Sequence, residues 1–210
     1  MNVSIEQVER QFPQFEQALI LEIVRVGQLS VFDQGDVLLK KGQYIRSILL
    51  ILDGTLKVYR ENEGVHPYYL YFLQAGDACV ISLMFASQQN VSDLMVKAET
   101  NTSILSLPLS VMQLWMKEYS GWNTFVWDCL RKRMANLFEI MDQLIFHSME
   151  DRLMYYLKVH SEMRQSKRLP FKRTEMAHDL NTSREVVTRL LKKQSEKGLL
   201  KIHGSFIEIQ

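Results

Sequence analysis

Arg184, Glu185, Thr188 and Arg189 lie within about one and a half turns of a helix if this stretch is helical. At about 100° per residue, Arg184, Glu185, Thr188, Arg189, Lys192 and Lys193 sweep out one half of the cylinder, while Val186, Val187, Leu190, Leu191 and Gln194 fill the other. The apolar half can sit on a core. The other half offers guanidinium forks, a carboxylate and a hydroxyl, which suit the base edges of a DNA major groove: Arg bonds guanine bidentately, and Glu accepts from cytosine N4. Just upstream, Asn181, Thr182 and Ser183 supply turn and helix-capping side chains, and the stretch from Thr174 is helical in pattern. Two helices about a short polar turn read as a helix-turn-helix.

An ordinary solvated amphipathic helix has a similar pattern, and local charge separates the two readings. Between Arg164 and Gly204 there are eleven Lys or Arg against four Asp or Glu, a net of +7, in a 210-residue chain whose formal charge is only +1. Positive charge gathered at one end of a near-neutral protein is what phosphate contact requires. With 47% hydrophobic residues the chain can bury real cores. No run reaches the roughly 18 uncharged apolar residues of a membrane span, since Ala18–Leu29 is interrupted by Glu22 and Arg25. The N-terminus has no basic-then-apolar signal pattern, so the expectation is a cytoplasmic protein without a membrane partner. The two cysteines, Cys79 and Cys129, fit a reducing compartment and cannot form a four-thiolate site. Only His66 precedes residue 147 among the histidines, too few for a His-rich metal centre in the first part of the chain. A Gly-x-Ser-x-Gly elbow, a phosphate-cradling Gly-Lys-Ser/Thr loop and a His-Glu-x-x-His helix are all missing. No catalytic residue, metal or cofactor is expected, and the chain does not read as an enzyme.

Helical spacing of apolar residues predicts one helix over about Ile5–Val26. From Leu29 to Leu107, short β-rich runs (Val37–Lys40, Ser47–Leu52, Thr55–Arg60, Tyr68–Leu73, Asp93–Glu99, Ser103–Leu107) are separated by turns such as Gly35-Asp36, Lys41-Gly42, Asp53-Gly54 and Gly76-Asp77. Many short strands with such punctuation indicate a barrel or jelly roll. After Pro108 the pattern is helical again. Leu130, Met134, Leu137, Met141 and Leu144 alternate spacings of four and three, a coiled-coil seam of about two heptads that suits a homodimer. Trp122, Phe125, Cys129, Phe138 and Ile145 are read as a second stripe facing the barrel. Ser148–Arg164 continues as a helix with Leu153, Tyr156, Leu157 and His160 on one face, and Gln165–Arg168 with Pro170 breaks it. Leu199–Ile209 forms two strands about His203-Gly204-Ser205, a wing beside the helix-turn-helix. The fold class is therefore α+β: an N-terminal double-stranded β-helix over 1–118, a long dimerisation helix over 119–147, and a winged helix over 148–210.

This order, with Gly35-Asp36, Gly42, Leu52-Asp53-Gly54, Gly76-Asp77 and above all Thr182–Arg189, resembles the Crp–Fnr family of bacterial transcription regulators over essentially the whole chain. The resemblance implies a cyclic-nucleotide-binding-like barrel and a homodimer on double-stranded DNA, with RNA polymerase as a further partner. By it, Arg184, Glu185 and Arg189 read base edges of a half-site like TGTGA, with Thr182, Ser183 and Thr188 beside them and Lys172, Arg173 and Thr174 near phosphate.

The effector pocket departs from the family pattern. Cyclic-nucleotide-binding members carry Gly-Glu after Gly-Asp, where this chain has Val80 and Ile81 before Ser82. Their phosphate-holding Arg-Ser pair falls here on Ser92 and Asp93, and no Arg occurs between Arg60 and Arg131. Losing a hydrogen bond to a charged group costs about 1.5–3 kcal/mol, or roughly one to two decades of affinity. Cyclic AMP is not the expected ligand, and another small-molecule effector stays open. So does the alternative of a ligand-sensing module that acts through protein partners with a winged helix that does not bind DNA. The strength of the recognition-helix pattern favours the DNA-binding regulator.

Overall fold

The structure is a computed structural model that describes residues 3–62, 65–79, 82–83, 91–146 and 148–210, with side chains described for all of these except 61, 62, 65–68 and 143–146. Two compact units divide the chain: Met1–Glu61 with Leu70–Leu137, and Asn62–Tyr69 with Phe138–Gln210.

In place of the single N-terminal helix expected, two helices form, α1 (Ile5–Gln11) and α2 (Gln17–Val26). Pro13 accounts for the break: it has no N–H to donate and pushes the residue before it out of the helical region, and Phe12 sits at φ −129°, ψ 62°. The freed segment buries Phe12 and Phe15, stacked at 5.2 Å.

Among the described residues seven strands follow: β1 (Gln28–Phe32), β2 (Val37–Leu39), β3 (Ser47–Asp53), β4 (Thr55–Asn62), β5 (Val65–Gln74), β6 (Leu94–Ala98) and β7 (Thr102–Pro108). They form two sheets, in the orders β1-β7-β3 and β2-β6-β4-β5. Ile51 and Ile104 of the first sheet meet Leu56, Val58, Leu73, Val96 and Ala98 of the second, so the two inner faces enclose one core. The opposite face of the first sheet, with Ile48, Leu50, Leu52, Leu105 and Leu107, packs under the helices. That double burial is why Ile48–Leu52 is continuously apolar, while Leu94–Ala98 alternates. The β3–β4 turn needs Gly54, whose φ is +83°; a Cβ there would stand 2.3 Å from the Asn101 carbonyl oxygen.

Helices α3 (Val111–Glu118) and α4 (Ser120–Phe146) come next. Trp115, Trp122, Phe125 and Cys129 are buried with Phe12 and Phe15. Glu16 fastens the head of α4: its Oε1 accepts from Ser120 Oγ and Gly121 N, both at 2.8 Å. Lower on α4, Asp77 accepts from Lys132 Nζ at 2.6 Å and from Arg133 Nη2 at 3.5 Å, and the Arg133 guanidinium lies 4.3 Å from the Tyr71 ring centre. Burial pushes the Tyr71 phenol up and raises the Cys129 thiol to about 11, so both stay neutral.

The second unit holds α5 (Met149–Arg164), β8 (Arg168–Pro170), α6 (Arg173–Asp179), α7 (Arg184–Glu196), β9 (Leu200–Ile202) and β10 (Phe206–Ile209). Leu153, Leu157, Leu169, Met176, Val187, Leu191 and Ile207 fill its core. Its sheet has the order β8-β10-β9 and one strand more than the two-stranded wing expected. Pro170 does not exclude a strand there because β8 is an edge. Among the described residues no helix is long and apolar enough to cross a membrane.

Candidate nucleic-acid interface

The α6–α7 turn is set by its side chains. Asn181 takes the left-handed conformation, φ +50°, which Asn tolerates better than most residues. Ser183 caps α7, its Oγ accepting from Val186 N at 3.3 Å. The Leu180 carbonyl accepts from Arg152 Nη2 at 3.1 Å, and Tyr156 Oη donates to Asp179 Oδ2 at 2.7 Å, so α5 holds both the last turn of α6 and the loop after it.

Val187, Leu190, Leu191 and Gln194 of α7 are buried, and Val186 is partly so. Arg184, Glu185, Thr188, Arg189 and Lys192 are exposed. The helix is thus divided lengthwise into an anchored half and a presented half. Arg189 makes no ion pair among the described residues, and Arg184 bears on Glu185 only as a neighbouring positive charge. The Glu185 carboxyl is held below its ordinary range, first by its own backbone N–H and then by the Ser183 hydroxyl, and so remains an acceptor. Thr188 differs from the sequence expectation of a presented hydroxyl: its Oγ donates to the Arg184 carbonyl at 2.8 Å.

Lys193, grouped by helical angle with the presented residues, is an anchor. Glu150 accepts from Lys193 Nζ, from Lys197 Nζ at 3.0 Å and from Gln194 Nε2 at 3.2 Å. The hydrogen bonds from Lys193 and then Lys197 hold the Glu150 carboxyl down at about 2. The pairing could not be found from helical spacing, because Glu150 lies 43 residues away. Arg168 is likewise engaged, its Nε donating to Glu208 Oε1 at 3.1 Å. At the start of α6, Lys172 and Thr174 are exposed, whereas Arg173 is half-buried with its guanidinium 5.5 Å from the Phe171 ring centre. Thr182 is half-buried in the turn.

On α4, Met134, Leu137 and Met141 are exposed and Leu130 is partly buried; the Leu144 side chain lies outside the described residues. Phe138, expected on the stripe that faces the barrel, is exposed, and Trp127 is exposed as well. Helical geometry accounts for both: Trp127, Leu130, Met134, Leu137, Phe138 and Met141 share an arc of roughly 100°, from which Trp122, Phe125 and Cys129 point away. Ile145 lies with Leu144 outside the described side chains.

In the barrel, Val80 and Ile81 lie outside the described residues, as does the His66 side chain. Ser82 is buried, its Oγ donating to the Cys79 carbonyl at 2.6 Å and accepting from Leu49 N at 3.2 Å. Ser92 is buried with its Oγ bonded to both backbone groups of Leu94, at 2.9 and 3.1 Å, and Asp93 is exposed. At Ser92, where the sequence register expects the family's phosphate-pairing guanidinium, a buried hydroxyl serves its own backbone. Cys79 is buried in the inner core. Among the described residues no group of three His, Cys, Asp or Glu could hold a metal ion.

Residues 29–119 match the cyclic nucleotide-binding domain family, and residues 151–210 match the Crp-like helix-turn-helix domain family. Among solved structures, the chain is similar to a putative transcriptional regulator of the Crp/Fnr family from Eubacterium rectale (20% identity, 92% of this chain and 90% of that chain, TM-score 0.80). It is also similar to the c-di-GMP-responsive global regulator CLP of Xanthomonas campestris (16% identity, 92% and 99%, TM-score 0.79). A third such structure is a CooA mutant from Carboxydothermus hydrogenoformans (18% identity, 100% and 92%, TM-score 0.71). At these identities the likeness is one of fold. No curated protein matches the chain.

Proposed function

The chain belongs to the Crp–Fnr family of DNA-binding transcription regulators, and from that premise we propose that it works as a homodimer on a palindromic promoter site, with an effector other than cyclic AMP or none. In this reading residues 1–118 form the sensing domain, 119–147 the dimerisation helix and 148–210 the DNA-binding domain, with RNA polymerase the protein partner at the promoter. The observation that carries it is the lengthwise division of α7: a buried apolar half fixes the helix, and the outer half presents Arg184, Glu185 and Arg189 together. These groups match guanine and cytosine edges. Lys172 and Thr174, exposed at the start of α6, and Arg173 beside them, serve the phosphate backbone. The dimer seam in this reading comprises Leu130, Met134, Leu137, Met141 and Leu144, of which Met134, Leu137 and Met141 are exposed, and the exposed Trp127 extends it. A two-fold dimer places two recognition helices on half-sites about 10–10.5 base pairs apart. The buried, backbone-bonded Ser92 supports the exclusion of cyclic AMP, because it offers a cyclic phosphate no positive charge.

Selection of duplexes from a random pool, with and without cell extract, tests the reading. An enriched inverted repeat is expected, with no gain on adding cyclic AMP. A pool without any enriched motif under either condition would overturn it and leave a sensing module with a protein output.

A further inference from the structure

We infer that Thr188 selects a thymine in each half-site by packing its own methyl group against the thymine C5 methyl, which makes it the apolar reader on an otherwise charged recognition face. The inference rests on the reading of α7 as the base-contacting helix and deepens it.

Thr188 is exposed, one turn beyond Arg184 and next to Arg189, on the half of α7 that presents its side chains. A hydroxyl carries one proton, and here it is donated to the Arg184 carbonyl at 2.8 Å. That proton is therefore not available to the acceptors of a base edge, guanine N7 and O6, adenine N7 or thymine O4. With Oγ folded onto the helix, the other heavy substituent of Cβ is the methyl, and tetrahedral geometry turns it away from the Arg184 carbonyl. The C5 methyl of thymine is the apolar feature of the major groove. Neighbours three and four residues apart on a helix have Cβ atoms roughly 5–6 Å apart, against a rise of about 3.4 Å per base pair. The thymine therefore falls within about two steps of the base read by Arg184.

The competing role for Thr188 is acceptance, through an oxygen lone pair, of a hydrogen bond from adenine N6 or cytosine N4. Single-group changes on both molecules separate the two. An operator selected by the wild-type chain is remade with each thymine in turn replaced by deoxyuridine, which deletes only the C5 methyl. Dissociation constants are then measured for the wild-type, Thr188→Ser and Thr188→Val proteins. One thymine per half-site is expected to matter to the wild type, by about fourfold for each half-site substituted, the worth of one buried methyl. Thr188→Val, which keeps the methyl and lacks the oxygen, retains the thymine-to-uracil ratio whatever its absolute affinity. Thr188→Ser, which keeps the oxygen and lacks the methyl, binds the two operators alike. Uracil accepted as tightly as thymine at every position of a specifically bound operator would overturn the inference and leave the base-reading role of α7 standing. Discrimination that survives in Thr188→Ser would do the same. A pool that yields no operator would remove both.

Discussion

Arg189 and Lys172 carry like charges and are expected to fail differently when removed. Arg189 projects from the presented half of α7 without an ion pair among the described residues, so Arg189→Ala should cost about 1–3 kcal/mol on the matched operator and relax selection at one base pair. Lys172, exposed ahead of α6, meets phosphate in the proposed complex; Lys172→Ala should weaken matched and scrambled duplexes equally and lower the salt slope by about one. Titrations on both duplexes at several salt concentrations check the pair. An equal loss on both duplexes after Arg189→Ala would contradict base reading. The presented residues were legible in the sequence because helical angle and local charge decide them. Lys193 was not, since its carboxylate comes from another helix, and neither was the inward turn of the Thr188 hydroxyl, a choice of rotamer.

Glu150 links the start of α5 to the end of α7, and its pKa gives that link a pH signature. Folding lowers the carboxyl from 4.5 to about 2, so the charged form stabilises the native state. Its contribution is complete above 4.5 and is lost as pH falls from there toward 2. The stability difference between wild type and Glu150→Gln, from urea unfolding followed by circular dichroism, should therefore be constant above pH 4.5 and shrink below it. A difference that widened on acidification would show that the native-state carboxyl is not stabilised in its charged form. At the other junction, Asp77 accepts from Lys132 and the buried Arg133, so Asp77→Ala leaves a guanidinium in the core without its carboxylate. A loss of about 3 kcal/mol is expected in denaturant unfolding read by Trp115 and Trp122 fluorescence. Strands and long helices were legible wherever one period dominated. The α1–α2 break is a proline effect within an apolar period, β8 is an edge strand too short to show alternation, and Phe138 needed its angle rather than its spacing.

The proposed assembly makes the exposed arc of α4 the feature on which the whole regulator depends. Trp127 is 61% exposed, with Met134 and Met141 above 50%, at positions seven residues apart. A heptad series of large apolar side chains left open on a single chain matches a coiled-coil seam, and an identical helix supplies complementary knobs. All three tryptophans lie in the first unit, and Trp115 and Trp122 are already buried, so any change of emission on association belongs to Trp127. Raising the protein concentration should shift the emission to shorter wavelength in step with the dimer fraction measured by sedimentation. Trp127→Phe should abolish the shift. Met134→Glu with Met141→Glu, changes on the solvent side of a helix whose buried half is untouched, should leave the circular dichroism spectrum intact and give a monomer. That monomer can engage one half-site at a time, so its affinity for the inverted repeat should fall by about 10²-fold or more, while the difference between full site and half-site disappears. A double variant that stays dimeric, or a monomer that still prefers the full repeat, would place the self-association elsewhere and remove the symmetry on which palindrome recognition depends.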